Sequence, residues 1–170
     1  MTDRQEGVVD RHGPAKRFPI ITAGVDDGGI RLSMIRCATF AATKDHIAAA
    51  RRLARETLAD HPAGELAVVL ISELATNAVQ HSGSPQFTLM ISQNAKGELY
   101  IKVVDDGRNG LPSLRTADPD DENGRGIRLV ETLARRWGIT RERGVGMAVW
   151  FHIDQHATQA WLNLLLADHG

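Results

Sequence analysis

Only one cysteine, Cys37, occurs in this chain, so no disulfide can close within it and a reducing compartment suits it. Cys37 lies in an apolar stretch and is expected to serve as core packing. No apolar run reaches the ~18 residues that a membrane-crossing helix needs. The opening Met1-Thr2-Asp3-Arg4-Gln5-Glu6 lacks the apolar centre of a signal peptide. Together these absences predict a cytoplasmic protein that makes no membrane contact. An excess of either charge is also missing: 20 Lys and Arg offset 21 Asp and Glu, for a net charge of −1. No global basic field is left to recruit nucleic acid. Zinc-type ligand clusters are absent too. His152 and His156 are four apart, but the alternation around His152 predicts a strand, where that spacing does not converge, and no cysteine or third ligand accompanies them.

What is present is ordinary globular composition: 170 residues, 42% apolar and 24% charged, enough for one domain with a real core. Residues 1–29 mix charges with Gly and Pro without a period and are expected to form a flexible arm. An extended segment is predicted over 30–40. A helix should follow, from an N-cap at Thr43 to about Asp60, with Ile47, Ala50, Ala54 and Leu58 on one stripe. After the break at His61-Pro62-Ala63-Gly64, a second helix is predicted over 65–81. Its inward side gathers Ala67, Ile71, Leu74, Ala75 and Ala78, with Glu73 and Asn77 at the boundary of that side. Two strands come next, with inner faces Phe87, Leu89, Ile91 and Leu99, Ile101, Val103. Residues 107–124 read as a polar loop of the length that marks function. A helix is predicted over 126–137, ending at Gly138 as its C′ residue, then strands near 139–141 and 147–153. The segment 158–167, with Trp161, Leu162, Leu164, Leu165 and Leu166, reads as an apolar helix. It either packs back on the domain or serves a partner or a second copy.

Three stretches carry chemistry. On the second helix Glu73 and Asn77 are four apart and project from one side. A carboxylate beside a carboxamide suits a base beside a hard cation such as Mg²⁺. At a strand end, Asp105-Asp106-Gly107 offers a carboxylate that can accept a hydrogen bond from the exocyclic amine of adenine, next to a residue with no side chain. The plain alternative is an aspartate that caps its own turn. Gly124-Arg125-Gly126 opens a helix, where free N–H groups and the helix dipole attract phosphate. The plain alternative there is a glycine-rich entry made for packing.

In this order and on these elements, the motifs resemble those of the ATPase superfamily shared by gyrase, a heat-shock chaperone, histidine kinases and MutL. Within it, the chain resembles the small bacterial anti-sigma-factor serine/threonine kinases. The resemblance covers roughly residues 30–153, with 1–29 as an arm and 154–170 as an appended helix. It implies an α/β two-layer sandwich, a mixed and mainly antiparallel sheet with helices on one face. It implies ATP and Mg²⁺ as cofactors, Asn77 as the metal ligand and Glu73 as base toward a protein hydroxyl. Asp105, Gly107, Gly110, Gly124, Arg125 and Gly126 would surround the nucleotide. The implied partners are an anti-sigma-factor antagonist and a sigma factor that compete for the kinase. Three positions depart from the family pattern. Asn109 stands where a second glycine is expected, with Gly110 next. Ala148 stands where a threonine often lies near the adenine. Glu122 and Asn123 precede the Gly-x-Gly, so Arg125 or Arg115 would have to supply the lid arginine.

A module that binds nucleotide and only sequesters a partner is the competing expectation, and Glu73 argues against it, since a pure binder has no need of a base. A sensor-type histidine kinase would need a two-helix stem carrying the phosphorylated histidine, and only one helix, with His46, is predicted upstream.

Overall fold

The computed structural model describes residues 6–10, 31–107, 125–142 and 146–167. In chain order its elements are β1 (Glu6–Asp10), β2 (Leu32–Ala41), α1 (Lys44–Thr57), α2 (Gly64–His81), β3 (Gln86–Asn94), β4 (Leu99–Asp105), α3 (Arg125–Leu133), β5 (Arg136–Glu142), β6 (Gly146–Ile153) and α4 (Ala157–Ala167). The strands join in one six-stranded sheet of order β1-β5-β6-β4-β3-β2. The sheet expected to be mixed and mainly antiparallel is antiparallel in every described ladder. Short connections between β3 and β4, and between β5 and β6, leave no room for a parallel crossover.

Alternation along the strands decides the two faces. Phe87, Leu89 and Ile91 of β3, Leu99, Ile101 and Val103 of β4, and Met147, Phe151 and Ile153 of β6 meet buried residues of α1, α2 and α3 in one apolar core. The helices therefore cover one face, giving a two-layer α/β sandwich. In α2, Leu66, Leu70, Ile71, Leu74, Ala75 and Ala78 are buried, while Glu73 and Asn77 are half-buried, as the helical wheel predicts. Burying each of the larger side chains is worth roughly 1.5–3 kcal/mol, so the rotation of α2 about its own axis is firmly set. Ala50, Ala54 and Leu58 form the matching stripe of α1. Thr43 stands at its N-cap, with its hydroxyl 2.7 Å from the His46 ring and no side-chain bond to the helix backbone. His61 ties the α1–α2 turn to the β3–β4 turn. Its Nε2 donates to the Gly97 carbonyl at 2.6 Å and its Nδ1 accepts the Ala63 N–H at 3.0 Å, an arrangement that fixes one tautomer.

Some expectations give way. Cys37 is exposed, because β2 is the outermost strand and most of its side chains face solvent. Within the segment read as an arm, Glu6–Asp10 form β1, paired with β5. The helix expected to reach Trp137 stops at Leu133, and Trp137 and Gly138 belong to β5. The pattern was ambiguous, because Trp137 faces the core either seven residues after Val130 on a helix or two before Ile139 on a strand. Gly138 is bare because the Trp150 ring lies across it. A Cβ there would sit 2.7 Å from Trp150 Cζ2, and Trp150 Nε1 donates to Thr140 Oγ1 at 3.1 Å. In α4, Ala157 is buried and Trp161 packs on the core, while Leu162, Leu164, Leu165 and Leu166 are exposed. Among the described residues no helix is long and apolar enough to cross a membrane.

The reverse face carries Tyr100, Lys102, Trp150 and His152, all buried. The His152 ring stacks on Tyr100 with centroids 4.2 Å apart. Its Nε2 lies 3.5 Å from Glu98 Oε2, and among the described residues neither ring nitrogen has a hydrogen-bond partner. Burial lowers the pKa of His152 from 6.5 to about 4, with Arg135 and Arg136 pushing the same way against Glu98 and Asp154. The unfolded chain thus takes up this proton near pH 6.5 and the folded protein only near 4. His152 therefore costs nothing above that window and drains stability as pH falls through it. Urea midpoints measured from pH 7 to 4 should show this loss. His152→Phe, which keeps a ring against Tyr100, should flatten it; an unchanged slope would assign the acid sensitivity to other groups.

Candidate functional site

Between the C-terminal half of α2 and the ends of β4 and β6 lies a recess of about 380 Å³, solvent at its mouth included. Leu74, Asn77, Ala78, His81 and Ser82 line it from the helix side. Val103 and Asp105 line it from β4, and Met147 and Val149 from β6. The fold thus brings Asn77 and Asp105 to one cavity. Glu73 lies one turn before Asn77, half-buried and outside the lining.

Gly107 follows Asp105 with φ +61°, and its N–H donates to Asp105 Oδ1 at 2.6 Å. The turn-capping role considered from the sequence is therefore real, and it occupies one carboxylate oxygen while leaving the second as an acceptor. Burial raises the Asp105 pKa above the ordinary carboxylate value; the Gly107 N–H restrains the rise and neighbouring Asp106 adds to it. A second glycine governs this strand end. Gly146 has φ +128°, and a Cβ on it would collide with the Asp105 carbonyl oxygen, so only glycine lets β6 start so close to the end of β4.

Gly110 and Gly124 lie outside the described residues, as do Asn109, Arg115, Glu122 and Asn123. Helix α3 begins at Arg125, with Gly126 in its first turn, and packs against α2; the Arg125 side chain lies outside the description. Ala148 is not at the recess. Asp105 pairs with Met147 and Val104 with Ala148, so Ala148 shares the reverse face with Trp150 and His152, and Met147 and Val149 stand where the threonine was sought. Strand parity could have shown this, since Phe151 and Ile153 read as inward and odd positions follow them. The sequence reading also passed over His81 and Ser82, one turn or more beyond Asn77 on the recess side of α2.

The chemistry of this lining fits a purine nucleotide. Leu74, Ala78, Val103, Met147 and Val149 offer apolar walls to a flat ring, and Asp105 offers an acceptor to a ring amine. Among the described residues no group of three or more His, Cys, Asp or Glu could hold a metal by itself. Mg²⁺ usually keeps waters and phosphate oxygens, so a single carboxamide such as Asn77 suits it.

An aspartate with a raised folded-state pKa weakens the fold once it ionises, so its stability penalty grows as pH rises from the ordinary carboxylate range to the raised value and then persists. Asp105→Asn keeps an oxygen for the Gly107 N–H and removes the buried charge. The variant should melt at a higher temperature than the parent at pH 7, and the gap should close in acid. A lower melting temperature at pH 7 would show that the charge is stabilising.

Residues 40–153 match the family of histidine kinase-like ATPase domains. No curated protein matches the chain. Among solved structures, the chain is similar to the crystal structure of the RsbU and RsbW domains of Rv1364c from Mycobacterium tuberculosis, at 22% identity and a TM-score of 0.51. That match covers 69% of this chain and 32% of the other, and at this identity it is a likeness of fold. The α2 helix, the β4 end and the recess between them all lie within residues 40–153, and the chain belongs to the histidine kinase-like ATPase domain family.

Proposed function

We propose that this chain is an anti-sigma regulatory kinase, which binds Mg·ATP in the recess, phosphorylates a serine or threonine of an antagonist protein and restrains a sigma factor. The observation that carries the reading is the meeting of Asn77 and Asp105, from distant stretches, at one cavity of a histidine kinase-like ATPase domain. The motif resemblance supplies the partner class. Bound Mg·ATP would supply the phosphoryl group. Asp105 would accept a hydrogen bond from the adenine amine through its uncapped oxygen. The Asn77 carboxamide oxygen would ligate Mg²⁺, and the first turn of α3, at Arg125 and Gly126, would offer N–H groups to phosphate oxygens. Glu73 would take the proton of the attacking hydroxyl, a role worth roughly 10²–10⁴ in rate. Most of the remaining work is positioning and charge neutralisation.

A second reading, a nucleotide-binding module that sequesters a partner without chemistry, draws on Glu73 lying outside the recess lining.

Incubation with labelled ATP and a candidate antagonist separates the two. Label should reach the antagonist and fall at least about a hundredfold with Glu73→Gln, while ATP affinity holds; nucleotide binding without label transfer would favour the module. Asn77→Ala should weaken Mg·ATP binding roughly tenfold or more with an unchanged circular dichroism spectrum. Loss of that spectrum would make Asn77 structural. Asp105→Asn should lose ATP affinity in calorimetry, and an unaltered affinity would remove Asp105 from the adenine site.

A further inference from the structure

Leaving α2, the chain turns within three residues. Ser82 donates its hydroxyl to the Ala78 carbonyl at 2.6 Å, and the Ser84 N–H donates to Ser82 Oγ at 3.0 Å. Ser84 is itself buried. Its hydroxyl donates to the Gln86 carbonyl at 2.5 Å and accepts two N–H groups, from Gln86 and from Asp106, each at 3.3 Å. The β3–β4 ladder ends at Phe87 and Asp105, and the β4–β6 ladder ends at Asp105 and Met147, so the Asp106 amide lies just beyond both. Ser84 takes hold of the backbone where the sheet lets go, one residue after the carboxylate that lines the recess. Through Ser82, also in the lining, the backbone N–H of the same residue is linked to the helix end that carries Asn77.

We propose that Ser84 is a positioning residue for nucleotide recognition: its hydroxyl locks the Asp105–Gly107 turn to the end of α2 and so sets the distance between the two polar walls of the recess. This rests on the nucleotide reading above. Ser84 touches no ligand and acts through Asp105, so its removal should damage discrimination between adenine and guanine more than it damages the fold.

The test is calorimetric titration of ATP and of GTP into the full chain as Ser84→Ala, Ser84→Thr, Asp105→Asn and the Ser84→Ala/Asp105→Asn double variant, beside the parent, with melting temperatures for each. Ser84→Ala should raise the ATP Kd by roughly two- to tenfold, the equivalent of one ordinary hydrogen bond, and narrow the ATP-to-GTP ratio. Ser84→Thr, which keeps the hydroxyl, should restore the ratio. On the Asp105→Asn background, Ser84→Ala should add nothing. A lowered melting temperature with an unchanged ratio would make Ser84 merely structural and overturn the proposal, as would a full-sized Ser84→Ala effect on the Asp105→Asn background. Should Ser84→Ala fail to fold, Ser84→Thr decides: an intact ratio supports the proposal, and a collapsed ratio in a folded protein overturns it. A parent chain that binds neither nucleotide overturns the nucleotide reading and this inference with it, an outcome distinct from binding that ignores Ser84.

Discussion

The apolar side of α2, from Leu66 through Ala78, lies against the sheet so fully that the helix cannot turn about its axis without lifting Leu70, Ile71 and Leu74 into water. A slip of one residue is a rotation of about 100°. It would carry Glu73 and Asn77 either into the core or out to open solvent. The polar pair keeps its boundary position because the leucines beside it have nowhere else to go. Core packing, which has no chemistry of its own, thereby aims the only two polar groups of this helix turn that the proposed reaction would use.

The end of β4 is built on a different balance. Asp105 is half-buried, and that burial disfavours its ionised form. The surroundings soften that cost without abolishing it. One N–H, from Gly107, works against it. Natural chains carry such locally unfavourable groups where function requires them. In the proposed reading the recess beside Asp105 would supply a use: a partly dehydrated acceptor would bind a ring amine more selectively than a hydrated one, because a ligand without the amine would leave it unsatisfied.

Much of this was legible in the sequence, and what was not failed for identifiable reasons. Helix α2, the β3–β4 hairpin and the turn at Asp105 announced themselves because one period dominated each. Residues 130–139 did not, because Val130, Leu133, Ala134 and Trp137 satisfy a helical stripe while Trp137 and Ile139 equally satisfy a strand. The pairing of Arg136 with His152 decided the matter through contacts remote in the chain. Strand β1 is polar and short, and its assignment depends on a partner more than a hundred residues away. Ala148 was misplaced by position-matching alone, where parity would have put it on the far face. Cys37 was read as buried because local apolarity says nothing about whether a strand lies at the centre or the border of its sheet.

The distance in sequence between β1 and its partner also governs the order of assembly. Glu6 to Asp10 leave the ribosome well before the strand they join, Arg136–Glu142. Meanwhile β2, β3 and β4 can associate with α1 and α2 as each appears, because their partners all precede β5 in the chain. Strand β1 therefore waits for β5, and the loop it closes spans most of the described fold. A nascent chain stalled before residue 136 would hold its α2 and β4 walls without β5 or β6, leaving the recess with one side unbuilt and β1 without the strand it pairs with.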